Sequence, residues 1–246
     1  MNDDPFFIVG AQRSGTTYLY SVLDEHPSIR MARPLRPEPK FFLKDEEYAL
    51  GVAHYLNTYF PERAAGEVLG EKSTSYIESA EVAQRIRHLF PEAKVLIILR
   101  DPVFRAVSNY FFSVGHGIET RTPREVFVEG VEPPEFSRHI SVSPFNYLGR
   151  GEYLRYVRMY REVFEADRLQ VLIFEQFVNR LPEVQSLYGF LGVDPNYVPQ
   201  NLEDKINSSH KVYNLDEEVE DHLYRYYVPH IDALENELNL DLSIWK

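Results

Sequence analysis

Short apolar runs alternate along the chain with stretches of helical periodicity. Residues 6–9 (FFIV), 95–99 (VLIIL) and 169–174 (LQVLIF) have the continuous apolar character of strands that are buried on both faces. Helical patterns are found at about 15–25, 79–89, 102–113, 150–165, 182–191 and 216–237. This alternation predicts an α/β fold of three layers, in which helices flank a central and mostly parallel sheet.

Two long spans break the alternation. Residues 27–44 and 114–148 are irregular and rich in proline, and long irregular stretches in a globular chain are usually functional loops. No internal repeat, low-complexity tract or linker divides the sequence. We therefore predict one domain that spans residues 1–246.

The composition limits the classes of function. The chain has 246 residues, 44% of them hydrophobic, and no cysteine, so thiolate metal sites and cysteine nucleophiles are excluded. A net charge of −12 argues against general binding to nucleic acid or anionic membranes, although it permits a small basic pocket. No apolar run approaches the ~20 residues that cross a bilayer, and no histidine pattern indicates a metal site. A cytoplasmic protein without metal is predicted.

The first strand runs into the glycine-bounded turn GAQRSGTT, residues 10–17. Gly10 and Gly15 have the spacing of a phosphate-binding loop, in which backbone N–H groups and the positive end of a helix surround an anion. Hydroxyl groups that could donate to phosphate oxygens belong to Ser14, Thr16 and Thr17. An ordinary strand-to-helix turn with a threonine cap remains the alternative at this point.

One position distinguishes this loop from that of a nucleotide triphosphatase. Thr16 stands where such an enzyme has the lysine that neutralises the β- and γ-phosphates, so a metal-bound triphosphate is poorly accommodated. Arg13 instead places a permanent positive charge within the loop. The domain is thus predicted to be P-loop-like without being a typical triphosphatase.

A second strand-turn-helix unit follows in VLIILRDPVFRAVSNYF. Asp101 suits the N-cap of the helix and Pro102 its first position. Arg100 follows the strand at the sheet edge where ligands gather, and Ser108 lies about two turns into the helix, so the two side chains could share an anion. The alternative is that Arg100 pairs with a carboxylate and Ser108 has no function.

Together the two units resemble the PAPS-dependent sulfotransferases, which use 3′-phosphoadenosine 5′-phosphosulfate (PAPS) as donor. The resemblance implies that the loop, including Arg13, Ser14, Gly15, Thr16 and Thr17, binds the 5′-phosphosulfate. It also implies that Arg100 and Ser108, eight residues apart, bind the 3′-phosphate. Such a donor needs no magnesium, which fits the missing lysine, and its product is 3′,5′-adenosine bisphosphate.

Further motifs resemble the heparan sulfate (carbohydrate) branch of this family. The resemblance gives Arg13 the place of a lysine that stabilises the leaving group, and it makes Glu38 in PEPKFF (37–42) the general base. Lys72 in GEKSTSYI (70–77) would contact the donor sulfate or the acceptor. A closing loop over the donor is matched by NSSHKVYN (207–214), with Lys211 as the candidate.

The acceptor contacts are expected from residues near these motifs. The candidate substrate-binding residues are Phe41, Phe42, Ser73, Ser75 and His116. A histidine base is the second choice after Glu38, with His26, His116 and His210 as the histidines near the relevant segments.

The predicted activity is in-line transfer of a sulfuryl group from PAPS to a hydroxyl or amine. The acceptor would be a saccharide, a lipid or a secondary metabolite. Two alternatives stay open at this point: a P-loop kinase of a small metabolite, and a module that binds an adenine nucleotide without turnover. The oligomeric state cannot be read from the sequence.

Overall fold

The computed structural model describes residues 4–135, 142–203 and 215–246. These residues fall into two units along the chain. The first unit contains 4–99 and 157–203, and the second contains 100–135, 142–156 and 215–246.

A parallel sheet forms the centre of the first unit. The strands among the described residues are β1 (Phe6–Gly10), β2 (Ile29–Met31), β3 (Val68–Lys72), β4 (Lys94–Leu99) and β5 (Leu169–Ile173). Their order across the sheet is β2-β3-β1-β4-β5, and each neighbouring pair is parallel. The predicted α/β class with a parallel central sheet is confirmed.

Helices connect the strands and continue after them. In chain order the helices of the described residues are α1 (Thr16–Asp24), α2 (Asp45–Tyr48), α3 (Gly51–Tyr59), α4 (Ala80–Leu89), α5 (Pro102–Gly115), α6 (Pro123–Phe127), α7 (Tyr153–Arg161), α8 (Phe174–Phe177), α9 (Leu181–Leu191) and α10 (Glu217–Leu238). No helix in these described ranges is long and apolar enough to cross a membrane.

Both faces of the sheet are buried, which explains the continuous apolar strands. On one face, Phe6 and Ile8 of β1 pack in a cluster with residues of β4, α1 and α9. On the other face, the ring of Phe7 lies 5.4 Å from that of Phe42 and 5.9 Å from that of Phe90, measured between centroids. Successive residues of β1 thus serve opposite helical layers, as the period of two in a strand requires.

The second unit is helical. It contains α5, α6 and α10, together with the start of α7, and α10 packs against α5 and α6. Asp101 is the N-cap of α5, where its side chain accepts a hydrogen bond of 2.8 Å from the N–H of Val103. Pro102 is the first residue of the helix, so both predicted roles are confirmed.

The sequence patterns missed the strands β2 and β3 and the helices α2, α3, α6 and α8. β2 is only three residues long, α2 and α8 have four residues each, and α6 has five residues inside a proline-rich segment. β3 could not be predicted from apolar periodicity, because glycine, glutamate and lysine interrupt its apolar run. Gly70 is required there, since a Cβ atom would lie 2.2 Å from Cζ of Phe6.

Candidate functional site

The turn between β1 and α1 contains two residues in the left-handed region. Arg13 has a φ of 69° and Gly15 a φ of 87°. A Cβ atom at Gly15 would lie 2.2 Å from Cδ2 of Phe174, so both the backbone and the available space require glycine. Left-handed residues in such turns direct successive N–H groups towards one point and form concavities that bind anions.

The start of α1 adds to the attraction for an anion. The N-cap residue is Gly15, which has no side chain to accept hydrogen bonds from the first turn. The N–H groups of a first helical turn have no intrahelical acceptors, and the helix dipole places positive charge there. Thr16 and Thr17 both lie in this turn, as expected for residues that donate to an oxyanion.

Ser14 is completely buried beside this helix start. Its Oγ has no hydrogen-bond partner among the described residues. An unsatisfied buried hydroxyl costs about 1–3 kcal/mol. A phosphate or sulfate oxygen seated in the turn would accept a hydrogen bond from this hydroxyl, so the turn fits an oxyanion.

An ion pair between Glu38 and Lys72 lies at the end of β3. The ammonium Nζ of Lys72 donates to Oε1 of Glu38, and the N–H of Thr74 donates to Oε2 at 3.0 Å. The hydroxyl of Thr74 also donates to Oε2, at 3.1 Å. Only 5% of the lysine side chain and 16% of the glutamate side chain are exposed, so the pair is largely shielded from water.

The strand register brings this pair to the edge of the sheet where the β1–α1 turn lies. Lys72 is opposite Ile8 of β1, and the N–H of Ser73 donates to the carbonyl of Ile8 at 3.1 Å. Because the two strands are parallel and adjacent, their carboxyl ends meet at one edge. The β1–α1 turn and the paired carboxylate and ammonium therefore share that edge.

Glu71 points into the core beneath the pair. It is completely buried, and its carboxylate accepts hydrogen bonds from the hydroxyl of Tyr55 at 2.7 Å and from Oγ of Ser73 at 2.6 Å. Burial raises the pKa of Glu71 from 4.5 to about 7, while hydrogen bonds from Ser73, Tyr55 and Tyr76 oppose the increase. The charge of Glu38 also raises this pKa.

Phe41 and Phe42, two candidates for contact with the acceptor, lie in the core of the first unit. Both rings are completely buried in an aromatic cluster, in which the Phe42 ring lies 5.6 Å from that of Tyr55 and 5.8 Å from that of Tyr76. Both phenylalanines thus pack in the core, and their contact with an acceptor stays a prediction.

The two serines after β3 differ in their bonding. Ser73 is buried, and its hydroxyl donates to Glu71 while it accepts from the N–H of Lys40 at 3.0 Å. Ser75 is also buried, but its Oγ has no hydrogen-bond partner within the described part of the chain. The Ser75 hydroxyl could therefore form a hydrogen bond with a ligand, whereas the Ser73 hydroxyl already bonds to Glu71 and Lys40.

Arg100 and Ser108 lie at the start of the second unit. Ser108 is buried in α5 with 2% of its surface exposed, and the Arg100 guanidinium lies 5.9 Å from the centroid of the Phe104 ring. The hydroxyl of Tyr153 donates to the carbonyl of Arg100 at 2.7 Å, which fixes the backbone at the end of β4. The binding of a 3′-phosphate by Arg100 and Ser108 stays a prediction.

The structure describes two of the three histidines that were alternatives for the base. His26 is buried, and its Nδ1 accepts from the N–H of Ser28 while its Nε2 lies 3.1 Å from the carbonyl of Asp194. His116 is exposed at the C-cap of α5, and its Nδ1 lies 2.8 Å from the carbonyl of Phe112. Lys211 and His210 lie outside the described residues. No cluster of potential metal ligands occurs in the described ranges.

Comparisons with known proteins agree with this geometry. A sequence model of the sulfotransferase domain family matches residues 3–222. A sulfotransferase from Alicyclobacillus acidocaldarius has a similar structure, with a TM-score of 0.78, 28% identity and coverage of 98% of both chains. The sulfotransferase domain of an olefin synthase from Synechococcus PCC 7002 shares the fold, with a TM-score of 0.54 at 17% identity over 98% of this chain and 96% of that one.

Relatives with names in the heparan sulfate branch are similar over most of the chain. The mouse (Mus musculus) bifunctional heparan sulfate N-deacetylase/N-sulfotransferase 4 is 30% identical over 78% of this chain. The mouse heparan sulfate glucosamine 3-O-sulfotransferase 5 is 26% identical over 79% of it. The matches span 22% and 55% of these relatives' own lengths.

The chain belongs to the sulfotransferase domain family, and its similarity to the heparan sulfate branch is confirmed. Sequence reasoning assigned no role to two residues beside the site, Tyr55 and Glu71. They are recognised by their hydrogen bond to each other, which joins positions 16 residues apart.

The variant Glu71→Gln is expected to gain stability relative to the wild type as the pH rises from about 5 to about 7. In this window the Glu71 carboxyl ionises in the unfolded wild type but stays protonated in the folded protein. The folded state then binds more protons than the unfolded state, so the stability of the wild type falls with increasing pH. Above pH 7 both states are ionised, and the difference stays constant at about 3 kcal/mol.

Urea denaturation of both proteins at several values between about pH 5 and about pH 8 measures this difference. A free-energy difference that is the same at every pH would show that the carboxyl has an ordinary pKa.

Proposed function

We propose that this chain is a sulfotransferase that transfers a sulfuryl group from PAPS to a hydroxyl or amine of an acceptor. The observation that carries the proposal is the place of the Glu38–Lys72 pair at the same sheet edge as the β1–α1 turn. An anion-binding turn alone suits any protein that binds nucleotides. A carboxylate and an ammonium beside it suit the transfer of a group between two substrates.

The β1–α1 turn is the part proposed to hold the 5′-phosphosulfate of the donor. Its support is the buried Ser14 hydroxyl, which has no hydrogen-bond partner among the described residues, together with the N–H groups at the start of α1. The resemblance assigns the 3′-phosphate to Arg100 and Ser108, and a contact with the donor to Lys211. No metal is part of the proposal, because Thr16 replaces the lysine of a triphosphate site.

Glu38 is the proposed general base. In an in-line transfer the acceptor oxygen or nitrogen bonds to sulfur, the bond from sulfur to the bridging oxygen breaks, and the acceptor proton passes to Glu38. Lys72 and the two donors of Thr74 occupy three of the roughly four acceptor positions of the carboxylate, which leaves one for that proton. These bonds also fix the orientation of the carboxylate.

Positive charge at the site would stabilise the leaving group. Negative charge develops on the bridging oxygen as the sulfuryl group departs, and cations placed in advance beside it lower the barrier. Arg13 and Lys72 are the proposed sources. Arg13 acts only through charge and hydrogen bonds, because a guanidinium does not release its proton at neutral pH.

The names of the relatives support a saccharide acceptor. One is named for N-sulfation and the other for 3-O-sulfation of heparan sulfate, so both an amine and a hydroxyl are compatible with this family. Lipids and secondary metabolites complete the proposed range. We also propose a single sulfotransferase domain, since the family match includes residues of both units. The cytoplasmic location stays a prediction from the sequence.

Ligand stabilisation and one variant test the proposed function. We expect 3′,5′-adenosine bisphosphate to stabilise the wild type by about 3 kcal/mol at about 100 times its Kd, and magnesium ATP and ADP to stabilise it less. Glu38→Gln is expected to bind the bisphosphate within about twofold of the wild type while kcat falls by about 100-fold or more. Thermal denaturation and a radiolabelled sulfate assay with saccharide acceptors are the measurements.

The matched control is Glu67→Gln, which breaks another partly buried ion pair of the same unit, with Arg30. It should retain the kcat of the wild type. Stronger stabilisation by magnesium ATP would favour a kinase, and binding of the bisphosphate without transfer to any acceptor would favour a binding module.

The variant Ser14→Ala is expected to change the affinity for the ligand and the stability of the free protein in different directions. The free variant is expected to be at least as stable as the wild type, because the substitution removes a buried hydroxyl without a partner among the described residues. The same variant should bind 3′,5′-adenosine bisphosphate about fivefold to tenfold more weakly, since one hydrogen bond to the ligand is lost. Calorimetric titration and urea denaturation measure the two effects.

Ser79→Ala is the control for this pair of effects. Ser79 caps α4 by accepting from the N–H of Val82, so its loss should cost about 1 kcal/mol without changing the affinity for the ligand. Unchanged affinity in Ser14→Ala would place the bound phosphate elsewhere.

A further inference from the structure

A chain of hydrogen bonds links the core of the first unit to the segment that carries the proposed base. The buried carboxylate of Glu71 accepts from Oγ of Ser73 at 2.6 Å. The same Oγ accepts from the backbone N–H of Lys40 at 3.0 Å. Lys40 is two positions after Glu38, so the core is connected by two hydrogen bonds to the backbone beside the carboxylate.

The middle of this chain lies between the two residues that hold the base. Ser73 separates Lys72, which pairs with Glu38, from Thr74, whose N–H and hydroxyl donate to Glu38. One short strand end therefore holds the Glu38 side chain through its neighbours and the following backbone through the Ser73 hydroxyl. Two attachments at different points define a position better than one.

The backbone at Lys40 needs such an attachment. Lys40 has a φ of 53°, in the left-handed region that a residue with a side chain seldom adopts. It directly precedes the short helical turn Phe41–Leu43, whose two phenylalanines are buried in the core. A hydrogen bond from its N–H to a fixed acceptor favours this conformation over the extended ones.

Burying a carboxyl group costs free energy of desolvation, and Glu71 uses its carboxyl group to bond a serine hydroxyl. Glu71 has no exposed surface, and its second oxygen accepts from Tyr55, itself completely buried. Replacing a buried polar cluster by apolar side chains is often neutral or stabilising, so stability alone gives little reason for the glutamate. Its geometry does give one, because the carboxylate orients the hydroxyl so that a lone pair faces the N–H of Lys40.

We infer that Glu71 is a positioning residue that acts through Ser73 and the backbone of Lys40 to fix the place of the Glu38 carboxylate. This inference rests on the proposed function, in which Glu38 takes the acceptor proton. Glu71 itself does not touch a substrate, and its contribution is the hydrogen bond to Ser73 rather than its charge.

Three variants test the inference. Ser73→Ala removes the link, and we expect kcat to fall by about tenfold to 100-fold while the KM for PAPS stays within about twofold. Glu71→Ala should behave in the same way, and Glu71→Gln should restore most of kcat, because an amide can still bond to the Ser73 hydroxyl. Should Glu71→Ala not fold, Ser73→Ala and Glu71→Gln suffice for the test.

A second measurement does not depend on activity. Amide hydrogen exchange at Lys40, followed by NMR, is expected to accelerate in Ser73→Ala and to stay near the wild-type rate in Glu71→Gln. The control is Ser79→Ala, which loses the same kind of N–H to hydroxyl bond in α4. It should change neither kcat nor the exchange at Lys40.

The outcomes separate this inference from the proposed function. If the wild type transfers sulfate and Ser73→Ala retains its kcat, or if Glu71→Gln is as impaired as Glu71→Ala, the positioning role is overturned. Unchanged exchange at Lys40 in Ser73→Ala would overturn it as well. A wild type that transfers no sulfate, but shows the expected exchange pattern, would refute the proposed function and still support the attachment of this segment.

Discussion

The parallel pairing of β1 with β3 is the constraint on which the candidate site depends. It places Lys72 opposite Ile8, and the N–H of Ser73 bonds to the carbonyl of the same residue. The residues that leave β3 therefore emerge beside the turn that follows β1. A change of register in this pair would move the ammonium and its partner Glu38 away from the helix start, because side chains follow their strand.

Several features of this edge cost stability, and a bound ligand would offset that cost. The hydroxyls of Ser14 and Ser75 are buried, and the described residues supply neither with a partner. The Glu38–Lys72 pair is shielded from water, and the attraction within such a pair often fails to repay the loss of hydration. A site prepared for an anion and a proton transfer requires these groups in place beforehand, because reorganising them during the reaction would raise the barrier.

The sequence predicted the parts of the fold that local patterns encode. The apolar runs of β1, β4 and β5 and the Asp101–Pro102 start of α5 could be read directly, because burial and capping act over a few neighbouring residues. β3 could not, since the residues that serve the site also break its apolar pattern. The glycine of that strand is required by the ring of Phe6, which is 64 positions away in the chain.

For the site as well, residues within short motifs could be predicted, whereas contacts between distant positions could not. Arg13, Ser14 and Gly15 were proposed from a single loop, and Glu38 and Lys72 from their motifs. Glu71 lies in the same motif as Lys72 but received no role, because its contacts with Tyr55 and Ser73 are created only by the folded chain. Phe41 and Phe42 were predicted to contact the acceptor from the same motif as Glu38, and the packing of both rings in the core could not be read from that motif.

The most direct test of the central claim is a crystal structure of the protein with 3′,5′-adenosine bisphosphate. The account predicts that the 5′-phosphate lies in the turn of residues 11–17, accepts a hydrogen bond from Oγ of Ser14, and has the Glu38–Lys72 pair at the adjoining edge of the sheet. A bisphosphate bound with neither phosphate in this turn would contradict it.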